Sequence, residues 1–242
     1  MSIKPLDGYV SANGLKLHYL RWSSPASSPA SSPKNLPIVL LHGLASAARI
    51  WDFVAPLLVE RGYTVTALDQ RGHGESDKPE SGYNFAGWTR EQAIKDLAPP
   101  HLADTPRDTF LSYFRSGPLG KQWSSQLEDS ILHIVRLRED NTVAPNLDFE
   151  NHLQIIGAMW DQPLFELYQR VHCPIKLIVA EQEPENEGQE AFLRMKRQGI
   201  TRIQALCPGI DIVWVPNTIH DIPLQRPAQL VQEIISIIPS QS

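Results

Sequence analysis

Cysteine is scarce in this chain of 242 residues, which contains only Cys173 and Cys207. The two lie far apart, and neither belongs to a Cys-x-x-Cys spacing. Their number and spacing predict neither a disulfide framework nor a cysteine-rich metal site, and they favour a reducing compartment.

Long apolar runs are also missing. The longest stretches, such as the one from Ile38 to Leu41, are far shorter than the roughly 20 residues that cross a bilayer. The first residues, Met1 to Pro5, contain no apolar region typical of a secretion signal. The sequence therefore predicts a soluble cytoplasmic protein that has no membrane partner.

Basic charge is in deficit, since 22 lysines and arginines stand against 27 aspartates and glutamates and give a net charge of −5. No long basic run is present to neutralise phosphates, so we expect no nucleic-acid partner. Hydrophobic residues make up 42% of the chain and charged residues 20%, which is typical of globular proteins rather than of disordered chains or coiled coils. The length fits one large α/β domain of about 200–250 residues.

The pattern of the first 85 residues is that of an α/β protein. An Asn13-Gly14 turn between two alternating runs predicts a β-hairpin over residues 8–22. Residues 23–36 repeat a Ser-Ser-Pro-Ala unit and predict a mobile loop. The aliphatic run Ile38 to Leu41 predicts a parallel strand buried on both faces. A helix closed by Gly62 and a second strand at residues 63–69 would complete a βαβ unit.

The rest of the chain divides into two parts. Residues 86–170 mix aromatic and aliphatic residues with charges and prolines, and they predict a helical domain. From residue 171 the strand and helix alternation resumes, with strands near residues 175–180 and 212–215 and a last helix that begins at Pro227. We therefore expect boundaries at 1–85, 86–170 and 171–242.

Three motifs follow the predicted strands. They are Leu40-Leu41-His42-Gly43, then Asp69-Gln70-Arg71-Gly72-His73-Gly74-Glu75-Ser76, and finally His220. Together they resemble the α/β-hydrolase superfamily of the capped serine-hydrolase type, most closely over residues ~8–85 and ~171–238. The resemblance implies a mostly parallel sheet with an N-terminal antiparallel hairpin and a helical cap over residues 86–170.

The resemblance also implies roles for particular residues. His42, Gly43 and Leu44 match the oxyanion position, where the Leu44 amide would donate to a tetrahedral intermediate. The open alternative is that Gly43 only permits a tight turn. His220 matches the general base, and Glu183 occupies the position of the acid that orients it. The alternative for Glu183 is a solvated acidic loop.

The motif from Asp69 to Ser76 is interpreted as a structural turn in which Asp69 and Arg71 brace neighbouring loops, rather than as a source of catalysis by His73 or Ser76. The eight histidines contain no His-x-x-x-His or Glu-x-x-His pairing. The sequence therefore predicts no metal site. No cofactor is expected either.

The nucleophile of the superfamily is missing from the sequence. None of the fourteen glycines begins a Gly-x-Ser-x-Gly elbow or its Asp or Cys version. Phe85 resembles the segment before that elbow and Trp88 already resembles the cap. Only Ala86 and Gly87 therefore stand where about 50–60 residues, including two central strands, are expected. The flanking strands would either pair directly or expose edges that favour aggregation.

Several interpretations of the function remain open. In the first, the chain is of acyl (ester or amide) hydrolase lineage and inactive as written, because no Ser nucleophile elbow is present. A non-catalytic binding or interaction module is one alternative. The other alternative is an active serine hydrolase with a small acyl substrate, whose chain is truncated or mispredicted. The cap serines Ser112, Ser116 and Ser124 lack the elbow context. The oligomeric state is left open.

Aromatic and other large side chains of the predicted cap weakly favour an apolar acyl substrate, although such residues are equally typical of a core. They are Trp88, Phe110, Tyr113, Phe114, Trp123, Met159, Trp160, Phe165 and Tyr168.

Overall fold

The computed structural model describes residues 3–23, 36–79 and 102–238. Most of the Ser-Pro loop and the junction at residues 85–88 lie outside these ranges, so the expectations about them stay predictions. The chain divides into an N-terminal unit, Met1–Asp161, and a C-terminal unit, Gln162–Ser242. The first unit contains most of the predicted cap.

The N-terminal unit is built on a mixed sheet in the order β1-β2-β4-β3. Its strands are β1 (Leu6–Ala12), β2 (Leu15–Trp22), β3 (Ile38–Leu41) and β4 (Val65–Leu68). The hairpin of β1 and β2 is antiparallel, as predicted, and Asn13 and Gly14 form its turn with φ of 52° and 76°. β4 pairs parallel with β3 and antiparallel with β2. The predicted α/β fold with an N-terminal antiparallel hairpin is therefore confirmed, and the sheet of this unit is mixed.

One face of this sheet forms the core of the unit. Leu20, Ala67 and Leu40 are neighbours in the strand register, and none is more than 7% exposed. The short helix α1 (Ala55–Val59) packs against β2 and β4, and its Leu58 is fully buried. Burial of each such aliphatic side chain contributes about 1.5–3 kcal/mol.

The opposite face of β3 is exposed. Val39 is 63% and Leu41 55% accessible, so the prediction of a strand buried on both faces is wrong. An uninterrupted aliphatic run shows that both faces are apolar, but coverage depends on neighbouring elements that the run does not encode. Within the described ranges, β4 is the ladder partner of β3.

Residues 102–161 combine the predicted helices with a small sheet that the sequence pattern does not predict. The helices are α2 (Arg107–Arg115), α3 (Ser125–Leu132) and α4 (Phe149–Asp161), and the strands are β5 (Thr105–Pro106), β6 (Val135–Leu137) and β7 (Thr142–Pro145). The antiparallel sheet has the order β5-β7-β6. Its strands are too short for an alternating pattern to be recognised. Asn141, with φ of 61°, marks the turn between β6 and β7.

Glu128 joins α2 to α3. Its carboxylate accepts hydrogen bonds from Arg115, Arg107 and the Trp123 indole, and the Arg115 guanidinium lies 4.9 Å from the centre of the Trp123 ring. These donors, with Arg115 first, lower the pKa of Glu128 below its ordinary value. The contacts fix the relative position of the two helices.

The C-terminal unit contains one parallel pair of strands with flanking helices. Its elements are α5 (Leu164–Gln169), β8 (Lys176–Glu181), α6 (Glu187–Leu206), β9 (Asp211–Pro216), α7 (Ile222–Gln225) and α8 (Pro227–Ile237). The ammonium of Lys176 lies 2.8 Å from Asp211 and 2.9 Å from Glu233, and so ties β8 to β9 and α8. Among the helices in the described ranges, none is long and apolar enough to span a bilayer.

Leu40 and Leu41 test the one-sided burial of β3. We expect Leu40→Thr to lower the free energy of unfolding by about 2–4 kcal/mol, because it removes buried aliphatic atoms and buries a hydroxyl. Leu41→Thr should change it by less than about 0.5 kcal/mol, because that side chain is exposed. Urea denaturation measures both variants, and equal losses would contradict the assignment.

Candidate functional site

The carboxylate of Asp69 lies at the centre of the loops that follow β3 and β4. It accepts hydrogen bonds from the amides of Ala48 at 2.6 Å and Glu75 at 3.0 Å, and it pairs with Nδ1 of His18 at 2.7 Å. Burial alone would raise its pKa, but the bonds from His18, Ala48 and Glu75 lower the pKa of Asp69 to about 2. The prediction that Asp69 braces neighbouring loops is confirmed.

Ser76 and Gly74 complete the turn around this carboxylate. The Ser76 hydroxyl donates to the Asp69 carbonyl at 2.6 Å and accepts from the His18 amide at 2.8 Å. Gly74 has φ of 49°, and a Cβ there would overlap the Asp69 carboxylate. Because the Ser76 hydroxyl is buried and both donates and accepts, this segment acts as a structural turn.

His42 holds the end of β3 against the end of β4. Its Nε2 accepts from the Gln70 amide at 3.0 Å, and its Nδ1 lies 2.7 Å from the Gly43 carbonyl. A ring nitrogen that accepts from an amide carries no proton, so the network assigns the neutral tautomer with the proton on Nδ1. Burial likewise lowers the pKa of His42. Both ring nitrogens are therefore engaged.

His73 is engaged in the same way. Its Nε2 accepts from the amide of Ala45 at 3.2 Å, its Nδ1 lies 3.0 Å from the Arg71 carbonyl, and its ring centre is 5.0 Å from that of His42. Burial, together with the neighbouring His42 and His152, lowers the pKa of His73 to about 4. Neither imidazole can accept a further proton without giving up a backbone hydrogen bond.

The predicted oxyanion donor lies between these two histidines in the chain. In the described part of the chain the amide of Leu44 donates to no acceptor. The carbonyl of Gly43 is held by His42, and Ala45 adopts a φ of 56°. The geometry is compatible with an oxyanion role for His42, Gly43 and Leu44, which remains a prediction.

A cavity of about 350 Å³ adjoins this loop inside the N-terminal unit. Ala45, Ser46 and His73 form its floor. Its apolar walls come from the predicted cap and include Leu102, Phe110, Phe114, Val135, Leu147 and Phe149. The cavity lies within the ~300–1,000 Å³ range of small-molecule sites.

Only some of the large side chains that were predicted to line an apolar pocket do so. Phe110 and Phe114 line the cavity, whereas Tyr113 is 65% and Met159 58% exposed. Trp88 lies outside the described residues. Arg136, Phe149 and His152 also line the cavity, and sequence analysis did not identify them. The turn signal at Asp140-Asn141 would have placed β6, and with it Arg136.

The predicted His220 and Glu183 lie in the C-terminal unit. His220 is exposed and lines a second cavity of about 460 Å³ together with Gln182 and Thr218. Glu183 is exposed outside that cavity, and among the described residues no hydrogen bond or ion pair joins it to His220. The parallel pairing of β8 with β9 brings their following loops together, but the two catalytic roles remain predictions.

Comparison with known proteins identifies relatives of this fold. Residues 37–116 match the family model described as the alpha/beta hydrolase fold. The soluble epoxide hydrolase of Corynebacterium sp. (strain C12) is 30% identical over 115 residues, which are 48% of this chain and 32% of that protein. The fluoroacetate dehalogenase of Burkholderia sp. is 28% identical over 153 residues, which are 62% and 48% of the two chains.

The chain spans less than half of the length of the curated relatives that it matches, with 32% of the epoxide hydrolase and 48% of the dehalogenase covered. Among solved structures, the thioesterase domain from the curacin biosynthetic pathway superposes with a TM-score of 0.66 at 15% identity, covering 96% of this chain and 99% of that domain. At that identity the likeness concerns the fold.

Gly74 and Gly43 form a matched pair of test positions. We expect Gly74→Ala to cost more than about 3 kcal/mol of unfolding free energy, or to abolish soluble expression, because the new methyl group meets the Asp69 carboxylate at a positive φ. Gly43→Ala meets no atom within 4 Å and should cost less than about 1 kcal/mol. Urea denaturation measures both, and a tolerated Gly74→Ala would contradict the assigned packing.

The buried neutral state of His73 predicts a dependence of stability on pH. Its pKa of about 4 in the folded chain lies below the ordinary value of 6.5, so the unfolded chain binds the proton more readily between these values. The contribution of His73 to the free energy of unfolding is therefore complete above pH 6.5 and declines as the pH falls towards 4.

A glutamine at this position can accept from Ala45 and donate to Arg71 without titrating. We therefore expect His73→Gln to lose about 2 kcal/mol less unfolding free energy than the parent between pH 7 and pH 5. Urea denaturation at both pH values measures the difference, and the exposed His172→Gln serves as the control. Parallel profiles for the parent and His73→Gln would show that His73 is not held neutral.

Proposed function

We propose that this chain, whose residues 37–116 match the alpha/beta hydrolase fold, is a member of that superfamily and that, as its sequence stands, it binds a small apolar acyl compound without hydrolysing it. The observation that carries this proposal is the largely apolar cavity whose lining begins at Ala45, the residue after Leu44, and in which both ring nitrogens of His73 are held by the backbone. Binding needs only the cavity, and in this proposal the Leu44 amide is its donor.

Hydrolysis by a serine needs a hydroxyl and a base that takes its proton. Within the described lining of the cavity, Ser46 supplies the hydroxyl, and His73 and His152 are the imidazoles. Nε2 of His73 is occupied by the Ala45 amide, and among the described residues no hydrogen bond joins Ser46 to His152. The sequence has no Gly-x-Ser-x-Gly elbow that would present another nucleophile. In this proposal His220, with Glu183 as its orienting acid, is a general base that has lost its nucleophile.

The lining favours a ligand with an apolar body and a carboxyl or ester head. Phe110, Phe114 and Phe149 supply aromatic surface from residues 86–170, which act here as the cap. Arg136, Arg138 and Asp148 are the charged residues of the described lining, and Arg138 is paired with Asp104. Arg136 donates to the Pro145 carbonyl at 3.2 Å and forms no ion pair within the described ranges, so its remaining N–H groups can bind an anion. A small acyl ligand fits this lining. In this proposal the protein binds it in the cytoplasm, the location that the sequence predicts.

An active serine hydrolase with a truncated or mispredicted chain is the second candidate. It is favoured by the length of the relatives, of which this chain spans less than half. Resequencing the transcript across codons 85–88 decides between the two. A recovered block that encodes a Gly-x-Ser-x-Gly elbow would replace the binding proposal with this one.

For the chain as written, we expect phenylbutyrate to bind and to be detected by isothermal titration calorimetry. Ala103→Trp should weaken binding at least about tenfold, because Ala103 lines the cavity from its exposed rim and the indole would fill it. Arg136→Gln should weaken it because the carboxylate loses its charged partner. The exposed Ala191→Trp, on α6, is the matched control.

The same protein should hydrolyse p-nitrophenyl butyrate no faster than buffer does and should not be labelled by a fluorophosphonate probe. Labelling that is lost in His220→Ala would show an active serine and overturn the non-catalytic part of the proposal. Binding that Ala103→Trp leaves unchanged would overturn the assignment of the cavity.

A further inference from the structure

Three segments that are distant in the sequence converge beside the hairpin. Asp7 on β1, His18 on β2 and Glu75 in the turn after β4 each offer one ligand atom, and these atoms all lie within 4.8 Å of one another. Asp7 and Glu75 are exposed, whereas His18 is 3% exposed. The cluster thus has a buried imidazole at its base and two carboxylates at its opening.

The orientation of His18 is fixed by a second carboxylate. Nδ1 of His18 pairs with Asp69 at 2.7 Å, so the proton of a neutral ring resides there and Nε2 carries a lone pair. Nε2 is buried and makes no hydrogen bond, although it lies 3.2 Å from an oxygen of Asp7. A histidine whose other nitrogen is held by a carboxylate is the usual arrangement behind a metal-binding imidazole.

The surroundings favour a positive charge at this point. Within the described ranges, no lysine or arginine forms an ion pair with Asp7 or Glu75. One oxygen of Glu75 accepts from the Tyr9 hydroxyl at 3.0 Å, which leaves the other oxygen for a ligand.

We propose that Asp7, His18 and Glu75 bind one divalent transition-metal ion of the zinc class. Ligand atoms about 2.0–2.2 Å from a tetrahedral Zn²⁺ lie roughly 3.4 Å apart, so the two exposed carboxylates need to move inwards by only about 1 Å. Water completes the coordination. The imidazole ligand favours Zn²⁺ over Ca²⁺ and Mg²⁺, which prefer oxygen ligands alone.

The ion would act as a clamp. It would join the β1–β2 hairpin to the turn at Glu75, and both already contact Asp69, through His18 and through the Glu75 amide. Because the three ligands come together only in the folded chain, metal binding adds to the stability of the fold. This site uses none of the residues that line the proposed acyl cavity, so either proposal can fail without the other.

The test is a titration of the metal-free full chain with Zn²⁺ alone, after dialysis against a chelator. We expect one strong site per chain by calorimetry and a Tm that rises by several degrees. Asp7→Asn and Glu75→Gln should each weaken binding at least about tenfold and remove most of the rise in Tm. Glu60→Gln, an exposed carboxylate of the same unit, should leave both unchanged.

Co²⁺ provides a second readout, because a four-coordinate ion gives visible bands that should weaken in Asp7→Asn and Glu75→Gln. Both variants alter exposed side chains, so they should fold, which circular dichroism checks. The proposal is overturned if Zn²⁺ does not bind, or if it binds with the same affinity in the parent and in both variants, as it would at other histidines.

Discussion

A carboxylate removed from water must find hydrogen-bond donors, because the cost of burying an unpaired charge is several kcal/mol. Asp69 meets this constraint with donors from three separate segments: the Ala48 amide, the Glu75 amide and the His18 ring. Since all three must point at one carboxylate, the positions of β2 and of the loops after β3 and β4 are set together. The missing Cβ of Gly74 and the two-way hydrogen bonding of Ser76 follow from the same requirement.

The loops that follow β3 and β4 are held in place by His42 and His73, which are side chains of a type that can transfer protons. His42 and His73 each use one ring nitrogen to accept from an amide and the other to reach a carbonyl. Their low proton affinity follows from burial and from this use. The loop that presents the Leu44 amide is therefore well defined, while its histidines have little capacity left for proton transfer.

The features that sequence analysis predicted are those encoded by adjacent residues. Asn13-Gly14 specifies the hairpin, and the turn that begins at Asp69 needs glycine where the backbone is left-handed. Features that depend on distant residues were not predicted. The exposed face of β3 reflects which elements cover it, and the short strands β6 and β7 carry too few residues for a period.

The same reasoning applies to the candidate sites. The His-Gly loop was recognised because its residues are contiguous, whereas the cavity walls come from separate elements with ordinary compositions. The cluster of Asp7, His18 and Glu75 has no spacing motif, and it becomes visible only when the hairpin lies beside the turn. Glu183 was chosen by its position after β8, but position alone does not direct a side chain towards His220.

We expect the exposed Val39 and Leu41 to make the folding of this chain depend on its concentration. An aliphatic strand face at 63% and 55% exposure offers a partly folded second copy a surface to pack on, and strand edges nearby can extend the sheet between molecules. Such encounters become frequent at micromolar concentrations and above, while intramolecular folding is independent of dilution. Folding within one chain is a first-order process, whereas association between chains is of higher order in concentration. Slow synthesis and low concentration therefore favour the folded chain.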